Sequence, residues 1–148
     1  DAAGFLRITG RKKEILVTAA GKNVAPAVIE DRIRAHALIS QAMVVGDGEK
    51  FIACLITIDA DAFPEWAEEH GKTGSTVADL IDDPDLRAAV EEAVEDGNKA
   101  VSRAEAVREF RILPEDFTID GGEMTPTLKL RRTIVMKKYA GTVEDIYR

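Results

Sequence analysis

The 148-residue chain, 45% hydrophobic with a formal charge of -7, is long enough for one domain with a proper core and short for two. Its acidity argues against a nucleic-acid partner, whose sequence-independent affinity comes from many lysine and arginine contacts to phosphates. No run approaches the roughly 18 to 20 apolar residues of a membrane span, the first residues lack a secretory pattern, and the lone Cys54 can form no internal disulfide, so a cytoplasmic setting is expected.

Taken in chain order, Phe5 to Thr9 and Glu14 to Thr18 read as short strands joined by the basic link Gly10 to Lys13, a small hairpin. Gly21 breaks the run. Pro26, suited to the first turn of a helix, opens a segment in which Ile29, Ile33 and Ala37 recur at helical spacing, with Glu30, Asp31, Arg32 and Arg34 expected to face outward. His36 stands near its end as a cation favoured by the helix dipole, with no second metal-type residue at i+4.

Met43 to Val45 and Phe51 to Ile58 are apolar runs joined by a five-residue loop with two glycines, which predicts a hairpin. The second run is apolar at almost every position, so it reads as a central strand covered on both faces by helices. The Gly-Asp-Gly between them is no phosphate loop, because a strand follows where a helix amino terminus is needed. Cys54 sits inside the apolar run and reads as a small core residue.

Ala60 to His70 predicts a helix with Trp66 on its packed side, and Thr76 to Ile81 a short helical piece. Asp83-Pro84 is a start signal, after which Leu86, Val90, Ala93, Val94, Gly97 and Val101 mark one helix face and Glu91, Glu92, Glu95 and Asp96 the other. Arg108 to Leu113 returns as a strand. Gly121, Gly122 and Pro126 then interrupt regular structure, so Lys129 is expected on a mobile loop ahead of closing helices at Arg131 to Tyr139 and Val143 to Tyr147. The fold class is α+β, a small sheet with helices packed against it and a leading hairpin.

Charge is unevenly spread. Residues 59–120 hold 18 acidic and 6 basic side chains, whereas residues 122–140 hold Lys129, Arg131, Arg132, Lys137 and Lys138 against Glu123 alone. Such a distribution suits either a solvated face or basic ends that meet a phosphorylated ligand.

Three runs concentrate that basic character: Gly10-Arg11-Lys12-Lys13-Glu14, Gly21-Lys22-Asn23-Val24-Ala25-Pro26, and Thr125-Pro126-Thr127-Leu128-Lys129-Leu130-Arg131-Arg132. In this order and at these separations they resemble the carboxy-terminal domain of adenylate-forming enzymes, most closely the long-chain-fatty-acid CoA ligases. The resemblance spans essentially the whole chain. It implies a domain that swings on a hinge between two half-reactions, formation of an acyl adenylate from fatty acid and ATP with magnesium, then attack by the thiol of CoA.

By that resemblance Lys129 would be the catalytic lysine of adenylation, offsetting charge at the α-phosphate. Arg11 would contact the ribose and phosphate side of the nucleotide, and Lys13 would lie at the hinge. Gly21, Lys22 and Asn23 would line the CoA channel, the glycine leaving room for pantetheine. Leu128 stands where many relatives outside the long-chain group carry glycine, and the Thr-Leu-Lys form resembles the long-chain subgroup.

The implied partner is an amino-terminal adenylation domain, which would bring the glycine-rich ATP loop and the acyl pocket that this chain lacks. Peripheral association of the full-length enzyme with membranes is compatible with the resemblance. No metal site is expected within the chain. Two other readings stay open at this point: a fatty-acyl-AMP ligase domain that passes the acyl group to a carrier protein, and a stand-alone interaction or regulatory module.

Overall fold

The computed structural model describes residues 15–101, 105–127 and 129–147. The expected strand Phe5 to Thr9, together with Arg11 and Lys13, therefore lies outside the described residues. Two short strands open the described chain: β1 (Leu16–Val17) and β2 (Asn23–Val24), antiparallel with Leu16 opposite Val24. The expected strand over residues 14–18 thus has its observed partner downstream, across the Gly21 turn.

Pro26 begins helix α1 (Pro26–Arg34) as its first residue, where a missing amide donor costs nothing. The helix stops at Arg34, short of Ala37, and Leu38 is the next buried side chain. Ile29 and Ile33 are fully buried on its inner face. Glu30 is buried as well, at 2% exposure, which corrects the outward placement expected from helical spacing.

A three-stranded sheet follows, formed by β3 (Ile39–Val45), β4 (Ile52–Ile58) and β5 (Val107–Ile112) in that spatial order. The first pair is antiparallel, with Val44 opposite Cys54, and the second is parallel, with Cys54 opposite Phe110. A parallel pair needs a long crossover, and this one runs through α2 (Phe63–Glu69), α3 (Val77–Leu80) and α4 (Pro84–Asn98). All seven residues of β4 are buried, as its unbroken apolar run predicted.

Alternation along β4 divides the interior into two cores. Ile52, Cys54, Ile56 and Ile58 join Ile29 and Ile33 of α1 and Leu86, Val90, Ala93 and Val94 of α4 on one face. Ala53 and Leu55 join Phe117, Met124, Val135, Val143 and Ile146 on the other. That second face is covered by α5 (Arg132–Lys138) and α6 (Ala140–Ile146). Each fully buried aliphatic side chain of this kind contributes about 1.5–3 kcal/mol.

The start signal at Asp83-Pro84 is realised: the Asp83 carboxylate accepts from the amides of Asp85 and Leu86, a cap that stabilises a helix by about 1 kcal/mol. Helix α2 is shorter than the expected Ala60 to His70, and Trp66 is only half-buried, stacked on the exposed His70 ring at 4.2 Å. Cys54 is a buried free thiol, pushed up in pKa by burial and then by the nearby Glu30 carboxylate, so it has no character of a nucleophile.

Candidate functional site

The loop that carries Lys129 is built from a tight turn and a small ladder. Thr118 and Gly121 begin it: the Gly121 amide donates to the Thr118 hydroxyl at 2.8 Å. A side chain at Gly121 is excluded by close approach, because a Cβ there would lie 2.6 Å from Glu123 Oε1. The carboxylate that fills this space is 1% exposed at the residue level. It accepts from the Thr118 amide at 2.9 Å and from Lys138 Nζ at 2.5 Å.

Burial pushes the Glu123 carboxyl up, but the hydrogen bonds from Lys138 and the Thr118 amide together outweigh it and leave the group below its ordinary value of 4.5. The same contact raises Lys138 above its ordinary 10.5. Both effects favour the ion pair.

Beyond Glu123 the chain runs out and back on itself. The Thr125 amide donates to the Lys129 carbonyl at 2.9 Å, the Lys129 amide donates to Thr125 Oγ1 at 3.0 Å, and Met124 bridges Leu130 in antiparallel register. The Arg131 amide closes the base on the Glu123 carbonyl at 2.7 Å. The mobile loop expected from its glycines and proline is therefore closed by hydrogen bonds on both arms. Lys129 stands exposed beside its tip, and among the described residues no carboxylate pairs with its ammonium.

A second anchor sits directly after this ladder. Arg132, the first residue of α5, donates both guanidinium ends to Glu30 of α1, with Nη1 at 2.7 Å from Oε2. Glu30 Oε2 also accepts from the Val44 amide of β3 at 2.7 Å. Sequence reasoning missed both buried carboxylates. Glu123 had one usable signal, a carboxylate set directly behind two glycines, whereas Glu30 had none within its own helix.

The Gly21 loop is held differently. The Thr18 amide donates to the Lys22 carbonyl at 3.0 Å and the Gly21 amide to the Thr18 carbonyl at 2.8 Å, a turn in which Gly21 takes φ +84°. A Cβ on Gly21 would meet no atom within 4 Å, so glycine is required by the backbone angle and the space beside it is open. The β3–β4 turn docks the hairpin through Gly48 to Val17, Ala19 to Glu49, and the Val17 amide on Asp47 Oδ1 at 3.0 Å. Lys22 and Asn23 are exposed. Lys22 lines a groove of about 430 Å³ with Lys50, Phe51 and Arg108.

A mostly apolar cavity of about 280 Å³ lies against the end of β3 and the β3–β4 turn, lined by Leu16 of the hairpin, by Val44, and by Arg132, Met136 and Tyr147 of the closing segment. The Tyr147 hydroxyl donates to the Phe51 carbonyl at 2.9 Å, and burial pushes its pKa up to about 12. The chain end is thereby tied to the start of β4. Among the described residues no group of three metal-ligating side chains converges, and no helix is long and apolar enough to cross a membrane.

Residues 13–148 match the family of AMP-binding enzyme C-terminal domains. The chain is 60% identical over 148 residues to the long-chain-fatty-acid CoA ligase FadD15 of Mycobacterium tuberculosis, covering 99% of this chain and 25% of the relative. It is 37% identical to the long-chain-fatty-acid CoA ligase ACSBG1 of Homo sapiens, covering 100% of this chain and 23% of that one. The chain thus spans about a quarter of the length of these curated relatives. Its fold is similar to part of the adenylation domain of a carboxylate reductase from Mycobacterium chelonae, with a TM-score of 0.71 and 21% identity over 92% of this chain and 20% of that one. With the match running through the Gly21 loop, the sheet and the Lys129 ladder, the chain belongs to the AMP-binding enzyme C-terminal domain family.

Proposed function

We propose that this chain is the carboxy-terminal swinging domain of an ATP-dependent long-chain-fatty-acid CoA ligase, and that Lys129 is its catalytic lysine in the adenylation half-reaction. The observation that carries the reading is an exposed ammonium without a carboxylate partner among the described residues, on a ladder closed along both arms. A cation so presented enters a neighbouring active site with little further ordering, and there it offsets the charge that develops as the fatty carboxylate displaces pyrophosphate at the α-phosphate. Support for the substrate class comes from the names of the relatives, at 60% and 37% identity.

The other assignments follow the same reading. Gly21, Lys22 and Asn23 line the path of the CoA thiol in the second pose, and the open space beside Gly21 is compatible with a pantetheine arm passing there. Arg11 contacts the nucleotide, and Lys13 marks the hinge. ATP, magnesium and the fatty acid are held chiefly by an amino-terminal domain, so the chain alone is inactive.

The test measures the two half-reactions separately on the full-length enzyme that carries this chain. Lys129→Ala is expected to slow adenylate formation by roughly 10²- to 10³-fold, the scale for losing one preorganised charge-stabilising donor. Thioester formation from supplied acyl adenylate is expected to stay within about twofold. An unchanged adenylation rate would return Lys129 to a solvated surface lysine.

A further inference from the structure

Glu30 and Arg132 stand 102 residues apart in the chain and meet fork to fork beneath the sheet edge. The Glu30 side chain is 3% exposed and that of Arg132 23%, so most of the contact is out of water. A pair of this kind is a poor stabilising device, because desolvating two ions cancels most of their attraction and an apolar pair of equal volume fills the same space as well or better. What a bidentate guanidinium–carboxylate contact supplies is direction: two parallel hydrogen bonds fix the plane of one group against the other.

The direction it fixes is that of the lysine ladder. Arg132 is three residues past Lys129 and is the first residue of α5, while Glu30 belongs to α1, which starts at Pro26 just after the Gly21 loop. Glu30 is itself locked by the Val44 amide at 2.7 Å, so it cannot follow a drifting arginine. Glu123, across the base of the ladder from Arg131, ties the first arm to α5 through Lys138. The ladder is thus held at its base by Glu123 and aimed, relative to α1 and β3, by Glu30.

We propose that the Glu30–Arg132 pair is a positioning device that aims Lys129 for adenylate formation, with Glu30 acting through Arg132 and neither side chain touching substrate. The proposal rests on the reading of Lys129 as the adenylation lysine. A misplacement of about 1 Å at a reacting group costs on the order of 10²-fold in rate, so partial loss of aim produces a smaller but measurable defect in that step alone.

The experiment uses the full-length enzyme with Glu30→Gln, Arg132→Lys, the double uncharged variant Glu30→Gln with Arg132→Met, which removes both ions and keeps an acceptor for the Val44 amide, and Lys129→Ala as a control. Glu30→Gln is expected to slow adenylate formation about tenfold, with KM for ATP and fatty acid within about twofold and thioester formation from supplied adenylate unchanged. Arg132→Lys, which keeps the charge and loses the fork, is expected to show the same pattern. The double variant separates aim from stability: it is expected to melt at or above the single variants while adenylating no faster than Glu30→Gln.

A double variant that regains stability and adenylates at the wild-type rate would overturn the proposal, as would any single variant that slows both half-reactions equally. A Lys129→Ala enzyme that adenylates normally marks a different failure, that of the lysine reading itself, and the proposal falls with it.

Discussion

The two loops to which the proposed function assigns roles are fastened by opposite means. The lysine ladder is held at its base by two buried carboxylates, Glu123 on Lys138 and Glu30 on Arg132, whereas the Gly21 loop is held chiefly by main-chain hydrogen bonds to the β3–β4 turn. Their glycines differ in the same sense. Gly121 is small because a carboxylate lies over it, and Gly21 is small because its backbone turns left-handed in open space. On the proposed reading, charge serves the loop whose lysine is aimed, and backbone geometry the loop beside which CoA passes.

Substitutions can break this contrast, and the largest effect is expected at Glu123. Glu123→Leu leaves the Thr118 amide without its acceptor and Lys138 without its partner, although Lys138, 46% exposed, can return to water. The expected loss is about 2–3 kcal/mol in denaturant unfolding, with faster amide exchange at Lys129 and Arg131 than at Gly21. Exchange that rises equally at both loops would remove the contrast.

Next in size is Gly121→Ala, where the new Cβ must displace the Glu123 carboxylate from 2.6 Å. A loss of about 1–2 kcal/mol is expected from that crowding. Gly21→Ala meets no atom and costs only its φ of +84°, about 1 kcal/mol. The two alanine variants together sharpen the comparison: crystal structures or chemical shifts should show Glu123 moved in the first and no side chain moved in the second.

The smallest expected effect is the response to pH. Glu123 titrates below its ordinary 4.5 in the fold, so its contribution is present above that value and is lost as pH falls through the depressed pKa. Lys138 titrates above its ordinary 10.5, so its contribution is full below that value and is lost as pH rises through the raised pKa. Between these limits the base of the lysine ladder is expected to keep constant protection. Amide exchange of Arg131 against pH, corrected for intrinsic rates, should fall outside that plateau only at the extremes, while the Gly21 turn amides show no matching steps.

Much of the architecture was legible because apolar period and breaker residues act locally. The unbroken run through β4, the Asp83-Pro84 cap and the Pro26 helix start each declared an element within a few residues of itself. The inward turn of Glu30 was not legible, since its partner is set by a fold that brings residue 132 against residue 30. Helical spacing places Glu30 beside Ile29, on the flank of the buried stripe, and only the arginine decides which way that flank faces. The closed ladder escaped for a related reason: glycine and proline signal a turn but do not reveal that Thr125 and Lys129 bond back to one another. Lys129, Gly21, Lys22 and Asn23 are all exposed, and composition alone says nothing of an exposed residue's task.

One consequence of the Glu30 contact concerns association between copies. β3 is an edge strand, and a row of open main-chain donors on such an edge invites a strand from another molecule. The carboxylate that takes the Val44 amide occupies that row near its end, and the helix that carries it, α1, packs against β3. The opposite edge, β5, carries exposed Arg108 and Glu109, whose charges oppose stacking of a further strand. Edge-to-edge aggregation is therefore guarded on one side by a buried acid and on the other by surface charge, and losing Glu30 would expose a sticky edge as well as misdirect an arginine.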